Sequence, residues 1–289
     1  MKVLVLGGTR FFGVHLVNSL LSKSHNVTIA TRGKANDKFG EKVERIIIER
    51  TSPDNLAKAL SNQYFDVVCD NLAYCSNDVK YLLDSLKCGR YVMTSSASVY
   101  INQHLQTKES EFNSLSYPLK WCSRKDYPYD EIKRQAECAL FQAYPKFPAV
   151  AVRFPYVIGE DDYTQRFFFY IEQTIKGNPM NIDNLNEQIS FLRSTEAGDF
   201  LAWIAEHKYT GSINGNSIGT ISLQEVISYI EQKTGKKAEL SAKGVNGTYN
   251  GQKSFSLDNT YANNLGYHFN ELKGWIYELI DRYINKVNS

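Results

Sequence analysis

The stretch VLVLGGTRFFGVHLV, residues 3 to 17, limits what this chain can fold into more than any other. Val3 to Leu6 are an apolar run of strand length and residues 11–21 carry helical periodicity, so Gly7, Gly8 and Gly13 bracket a strand-to-helix turn. Gly7 permits a sharp turn, Gly13 lets the helix pack closely on the strand, and the helix N-terminus offers free N–H groups and a positive dipole to a pyrophosphate. Arg10 stands where the usual dinucleotide fingerprint has its middle glycine. Its guanidinium suits a direct contact to phosphate.

Further strands are predicted over residues 26–30, 43–49, 65–69, 90–94 and 149–154. Helices are predicted over 53–60, capped by Ser52, over 78–86, capped by Ser76 or Asn77, and from Pro128, at the first helical position, to about Tyr144. Residues 100–126 have little periodicity and read as a surface excursion. Beyond the sixth strand the pattern predicts helices near 167–176, 196–206, 222–234 and about 269–286, a short apolar segment at 189–192 and a strand at 212–214. This alternation predicts an α/β chain built on a doubly wound parallel sheet, with its ligand at the carboxyl ends of the strands. The 289 residues, 43% hydrophobic, suffice for one large core with a smaller satellite. A nucleotide-binding domain is expected over 1–158, with returns near 190–216, and a mainly substrate-binding α/β region over 159–289.

Lys and Arg total 33 against 31 acids, and no long single-sign block occurs, so the charge argues against a nucleic-acid surface. Five scattered cysteines without a CxxC pair point to reduced thiols, a cytoplasmic location and no metal site. No window approaches a membrane span. The second strand ends in Ala30-Thr31-Arg32-Gly33-Lys34, without the acid that usually meets a free ribose 2′-OH. Arg32 and Lys34, with Arg10, favour a 2′-phosphate and hence NADP(H), with NAD(H) the alternative if they are only solvated loop charges.

A tyrosine four residues before a lysine is an acid/base arrangement used by reductases, but with 19 tyrosines such a pair is expected about once by chance. Three occur: Tyr129/Lys133, Tyr229/Lys233 and Tyr249/Lys253. Only Tyr129 opens the helix after the fifth strand, which ends in the hydroxyl-rich run MTSSASVY; the other two pairs are expected on the surface. At i and i+4, Tyr129 and Lys133 share a helix face. Making a phenol a competent base at neutral pH takes about 4 kcal/mol, of which an ammonium ~5 Å away supplies about 3 kcal/mol. The lysine is expected to do most of this tuning, and Ser96 to hold the substrate oxygen.

Taken together, GGTRFFG, TSSASVY, YDEIK and RFPYVIG resemble the short-chain dehydrogenase/reductase superfamily, in its extended, NAD-dependent epimerase/dehydratase-like branch. The resemblance runs from Lys2 to the C-terminal helix. GGTRFFG looks like a GGxxxxG subgroup whose members are variously labelled sugar epimerase or dehydratase, isoflavone-reductase-like, or chloroplast stem-loop RNA-binding protein. It implies a Rossmann fold with Ser96 as the strand-end hydroxyl, Tyr129 as acid/base and Lys133 as the ribose-binding, pKa-lowering lysine. Cofactor contacts are implied for Gly7, Thr9, Arg10, Phe11, Phe12 and Gly13, for Thr31 and Arg32, for Asn71, Leu72 and Ala73, and for Lys133, Pro155 and Tyr156. Tyr163 and Arg166 fall where the substrate region begins; Arg166 either meets a substrate phosphate or pairs with Asp161 or Asp162. Ala97 and Ser98 replace the Asp-Glu pair of the sugar dehydratases, which disfavours dehydration.

The expected activity is NAD(P)-dependent epimerisation or reduction of a nucleotide-sugar by reversible hydride transfer, with another small carbonyl substrate as the second reading. A non-catalytic NADP-sensing or RNA-binding protein is the competing class, against which Ser96, Tyr129, Lys133 and the near-neutral charge argue. Relatives often form homodimers through the helices after strands four and five; here these carry Tyr81, Leu82, Ala139 and Leu140, which would equally serve the core.

Overall fold

The structure, a computed structural model, describes residues 1–34 and 36–288, so the last residue of the expected 159–289 region lies outside the described residues. Strand β1 (Lys2–Leu6) passes through the glycine turn into α1 (Phe12–Ser22), followed by β2 (Asn26–Thr31) and β3 (Glu44–Ile47). Helix α2 (Pro53–Leu60) starts at Ser52, whose side chain accepts the Asn55 N–H, with Pro53 where no N–H is needed. The alternation continues through β4 (Tyr64–Asp70), α3 (Ser76–Leu83), β5 (Lys87–Ser96), α4 (Tyr129–Cys138) and β6 (Ala149–Phe154). Next come β7 (Tyr156–Ile158), α5 (Phe168–Lys176), β8 (Met180–Asn181), β9 (Gln188–Ile189), β10 (Phe191–Arg193), α6 (Ser194–Glu206) and β11 (Gly211–Asn214). The chain ends with β12 (Ile221–Ser222), α7 (Leu223–Thr234), β13 (Val245–Asn246), α8 (Thr260–Asn264) and α9 (Ile276–Asn288).

Seven strands form one parallel sheet in the order β11-β6-β5-β4-β1-β2-β3. The order reverses at β1, which places the switch-point crevice outside the carboxyl ends of β1 and β4. Leu16, Val17 and Leu20 of α1 pack with Phe200, Leu201 and Ile204 of α6 on one face. Leu56, Val79, Leu82 and Ala136 of α2, α3 and α4, with Leu140 just beyond α4, cover the other. Buried on both faces, the central strands are near-continuous apolar runs, which is why they were readable. A third apolar cluster joins α5, α7 and α9 through Ile171, Val226, Ile230, Ile276 and Ile280.

The structure differs from the sequence reading at several points. α3 begins two residues earlier than expected, at Ser76, because Cys75 caps it and Asp78 closes the reciprocal box. The helix after Pro128 is α-helical only to Cys138 and continues as a π turn over Ala139–Ala143, with Pro128 at the cap rather than the first helical position. α9 starts at Ile276, not near Phe269, since Leu272–Gly274 form a separate 3-10 turn. β7, unpredicted, pairs with β10 in its own two-stranded sheet. Leu82, Ala139 and Leu140 are buried inside the chain and are unavailable to a second copy.

The expected surface excursion at 100–126 is in fact anchored in the core, with Tyr100, Thr107, Phe112 and Cys122 all buried. The anchor is Arg153 of β6, itself fully buried. Its Nε and Nη2 donate to the two Glu137 carboxylate oxygens at 3.0 and 2.6 Å, and its remaining N–H groups reach the Tyr100 hydroxyl, the Glu109 and Phe112 carbonyls and Ser212 Oγ. Removing one partner strands an unpaired buried charge. Glu137→Gln is therefore expected to destabilise the fold by about 3–5 kcal/mol, read as a lower urea midpoint with an unchanged slope.

Candidate active site

Gly7 has φ +80°, and a Cβ at Gly13 would stand 2.0 Å from the Gly7 carbonyl oxygen, so strand and helix meet at a distance only glycine allows. Between them Phe11 holds φ 52°, ψ −144°, a conformation costly for a bulky residue. No side chain caps α1; its Gly13 and Val14 N–H groups donate to the Arg10 and Phe11 carbonyls at 3.1 and 2.9 Å, and Thr9, Arg10, Phe11 and Phe12 border the opening beside this helix end. The opening is a cleft of about 590 Å³, within the range of cofactor sites. Its far wall carries Thr31, Arg32 and Lys34 from the end of β2, and its floor Asn71 and Leu72 from the end of β4. Thr94 Oγ1 donates to Asn71 Oδ1 at 2.7 Å, which ties β5 to that floor.

Tyr74, which lines the cleft, meets the candidate residues Tyr129 and Lys133. Tyr74 packs edge-on against Tyr129 at 6.3 Å, and the Lys133 ammonium lies 4.9 Å from the Tyr74 ring centre. Tyr129 leaves 49% of its surface exposed, but its hydroxyl end is shielded and turned to Ser96. Burial pushes this phenol up to about 12, against the lowering effect of the Ser96 hydroxyl. Lys133 is buried, which pulls it down to about 8, and it donates to the Ala73 and Thr94 carbonyls at 2.8 and 2.9 Å. Two of its three N–H groups are thus committed to backbone. Among the groups acting most strongly on Tyr129, the cation is Arg166 and not Lys133.

Arg166 pairs with neither Asp161 nor Asp162. Asp161 takes His15 at 3.0 Å and Ser194 at 2.6 Å, and Asp162 takes the Thr164 hydroxyl. Among the described residues no carboxylate lies within ion-pair distance of Arg166; its guanidinium stacks 5.2 Å from the Tyr156 ring, steadied by Thr164 Oγ1. Tyr156 follows Pro155 at the start of β7 and bonds Gln252. Tyr163 is exposed at the rim and meets Phe11 edge-on at 6.1 Å. The structure thus gathers the turn, Thr31, Arg32, Asn71, Leu72 and Tyr163 around the cleft; Ser96, Tyr129, Lys133, Ala73, Pro155, Tyr156 and Arg166 are not in its wall, and Tyr129 and Lys133 reach it through Tyr74, which lines it.

Six cleft residues that the sequence reading did not offer for the site are Ile48, Glu49, Arg50, Thr51, Tyr74 and Arg124. Glu49 and Arg50 lie just past the third strand, a position that could have been examined as its carboxyl end; Arg124, within an aperiodic stretch, offered no signal. The other tyrosine–lysine pairs are separate from the site. Tyr229 and Lys233 share Asp281, whereas Tyr249, expected at the surface, is buried against Tyr156 and Tyr170.

With this geometry in place, residues 3–216 match the model of the NAD dependent epimerase/dehydratase family. The chain belongs to that family. A curated relative from Arabidopsis thaliana, chloroplast stem-loop binding protein of 41 kDa b, is 27% identical over 206 residues, 66% of this chain and 51% of that protein. A second, 2'-dehydrokanamycin reductase of Streptomyces kanamyceticus, is 31% identical over 83 residues, 29% of this chain and 24% of its own length. The chain therefore spans about half of the first relative and a quarter of the second. The Bacillus cereus UDP-glucuronic acid 4-epimerase, solved with UDP-glucuronic acid and NAD, superposes with TM-score 0.75 over 99% of this chain and 100% of that one, at 20% identity. That likeness establishes the shared Rossmann architecture of the epimerase/dehydratase family.

The residues present fit a dinucleotide: the Gly7–Gly13 approach, a helix end without a side-chain cap and the cationic cleft are mutually consistent. Gly13→Ala drives a methyl into the Gly7 carbonyl and is expected to cost about 2–3 kcal/mol of stability. Calorimetry should show the lower melting temperature together with lost dinucleotide binding.

Proposed function

We propose that this epimerase/dehydratase-family protein carries out reversible hydride transfer on a nucleotide-sugar, with Ser96, Tyr129 and Lys133 as its reacting site. The observation that supports this reading is that a Tyr129 hydroxyl turned to Ser96 and a carbonyl-anchored Lys133 both meet Tyr74, which lines the cleft. Ser96 holds the substrate oxygen, and Tyr129 takes the proton from a sugar hydroxyl or returns it to a carbonyl. The remaining N–H of Lys133 is directed to a ribose hydroxyl. The nicotinamide group supplies or receives the hydride when bound. Arg166, free of carboxylates, receives an anionic group of the sugar nucleotide, with Tyr163 at the rim, and the cluster around α5, α7 and α9 forms the substrate-binding part. Ala97 and Ser98 offer no acid pair for water loss, which favours epimerisation or reduction over dehydration.

NADP(H) is the preferred cofactor on this reading, because the end of β2 presents Arg32 and Lys34 and no acid. Glu49 supports the second reading, NAD(H): its carboxylate lies in the same end of the cleft, under the pull of Arg32 and Lys34. Among the described residues no helix is long and apolar enough to cross a membrane.

Two measurements test these readings. Titration with NADPH and NADH should show NADPH binding at least about tenfold more tightly, a preference of about 1.4 kcal/mol; equal affinities would move the assignment to NAD(H), and binding of neither would remove the oxidoreductase reading. Tyr129→Phe should retain dinucleotide binding and lose about 100-fold or more in turnover of a nucleotide-sugar. Parental turnover in that variant would return the protein to the non-catalytic class.

A further inference from the structure

The floor of the cleft, residues 71–75, has no regular structure, yet Asn71, Leu72 and Tyr74 line the cleft and the Ala73 carbonyl holds Lys133. Two buried carboxylates grip this segment from its ends. Asp70 accepts the Leu72 N–H at 2.9 Å, and Asp78 accepts those of Tyr74 and Cys75 at 2.9 and 3.3 Å. Arg50, 5% exposed, spans both acids. It forks onto Asp70 at 2.8 and 2.6 Å, places Nε 3.4 Å from Asp78 Oδ1 and donates to the Asp78 carbonyl at 3.1 Å. Arg124 closes the outer side: it donates to Asp78 Oδ2 and the Leu72 carbonyl, both at 3.0 Å, and covers the Tyr74 ring at 4.6 Å.

From this geometry we infer that Arg50 is a positioning residue, which clamps residues 71–75 through Asp70 and Asp78 so that the Ala73 carbonyl aims the Lys133 ammonium into the site. The inference rests on the proposed role of Lys133 for its functional meaning, and on the hydrogen bonds alone for its structure. A lysine at position 50 keeps the charge and loses the fork, so it cannot hold both carboxylates at once.

Amide exchange of the protein without added nucleotide tests the clamp. Arg50→Lys should speed exchange at Leu72, Tyr74 and Cys75 by about tenfold or more and leave the β1 amides unchanged. Unchanged exchange at all three would overturn the inference. Should Arg50→Lys fail to fold, Arg124→Gln decides the matter from the exposed side, with faster exchange expected at Tyr74 and Cys75 and parental exchange counting against the clamp.

A second readout separates positioning from bulk stability. Lys133 is faced by Asp70 from β4, Asp78 from α3, Glu137 from its own helix, the Tyr74 ring, and Arg50. The three acids favour its charged form and Arg50 opposes it, so Arg50→Met should move the Lys133 titration upward from about 8. A lower melting temperature with the titration unmoved would reduce Arg50 to a structural role. Failure of the parent to bind NADPH or NADH would sink the proposed function instead, and would leave the exchange result to judge the clamp.

Discussion

A guanidinium and a carboxylate sealed in the core each cost several kcal/mol to desolvate, and only full hydrogen bonding offsets that cost. Arg153 and Glu137 meet the condition, because every nitrogen of the guanidinium has an acceptor and Glu137 also takes the Ser95 hydroxyl and Ser212. The partners come from β5, β6, β11, α4 and the segment at 100–112. The pair therefore sets the rotation of α4 relative to β5. Ser95 adjoins Ser96, and Glu137 lies one helical turn beyond Lys133 and two beyond Tyr129, so one buried interaction registers the hydroxyl on the strand with the tyrosine and lysine on the helix.

The Arg50 cluster has the same chemistry with a different result. It joins the segment past β3, which carries Arg50, to the carboxyl end of β4, which with β1 flanks the point where the sheet order reverses and a ligand-binding crevice is expected. A crevice needs exposed backbone, and exposed backbone without regular structure needs its N–H groups satisfied by other means. Asp70 and Asp78 supply that satisfaction, and Arg50 makes their burial tolerable. Both buried arginines hold irregular chain in one conformation, Arg153 the long excursion and Arg50 the cleft floor.

What could be read in the sequence follows from this division. Parallel strands buried on both faces declare themselves as apolar runs, and a glycine turn declares itself by spacing, so the sheet and the cleft were legible. Arg153, Glu137, Arg50 and Asp70 were not, because a charged residue in a one-dimensional pattern reads as solvent-facing until its partner, about 16 or 20 positions away, is known. The excursion at 100–126 was misjudged for the same reason: its anchors are polar contacts to Arg153 and carry no period. Tyr249 was misplaced because its burial comes from stacking with Tyr156 and Tyr170, far apart in the chain.

On the proposed function, the electrostatics of Tyr129 and Lys133 bear on the direction of the chemistry. Burial opposes charge on both groups, with Tyr129 raised to about 12 and Lys133 lowered to about 8, so the protein near neutral pH holds an un-ionised phenol beside a mostly protonated amine. A neutral phenol is prepared to give a proton, as the reduction of a carbonyl requires. Taking a proton from a sugar hydroxyl demands the phenolate; Arg166 favours it, and the positive ring of an oxidised nicotinamide would favour it further when bound. An epimerase must do both in turn. On that reading the proton-donating half is the easier one, and the proton-accepting half would depend on what occupies the cleft, which would couple deprotonation of the substrate to the presence of a partner that can accept its hydride.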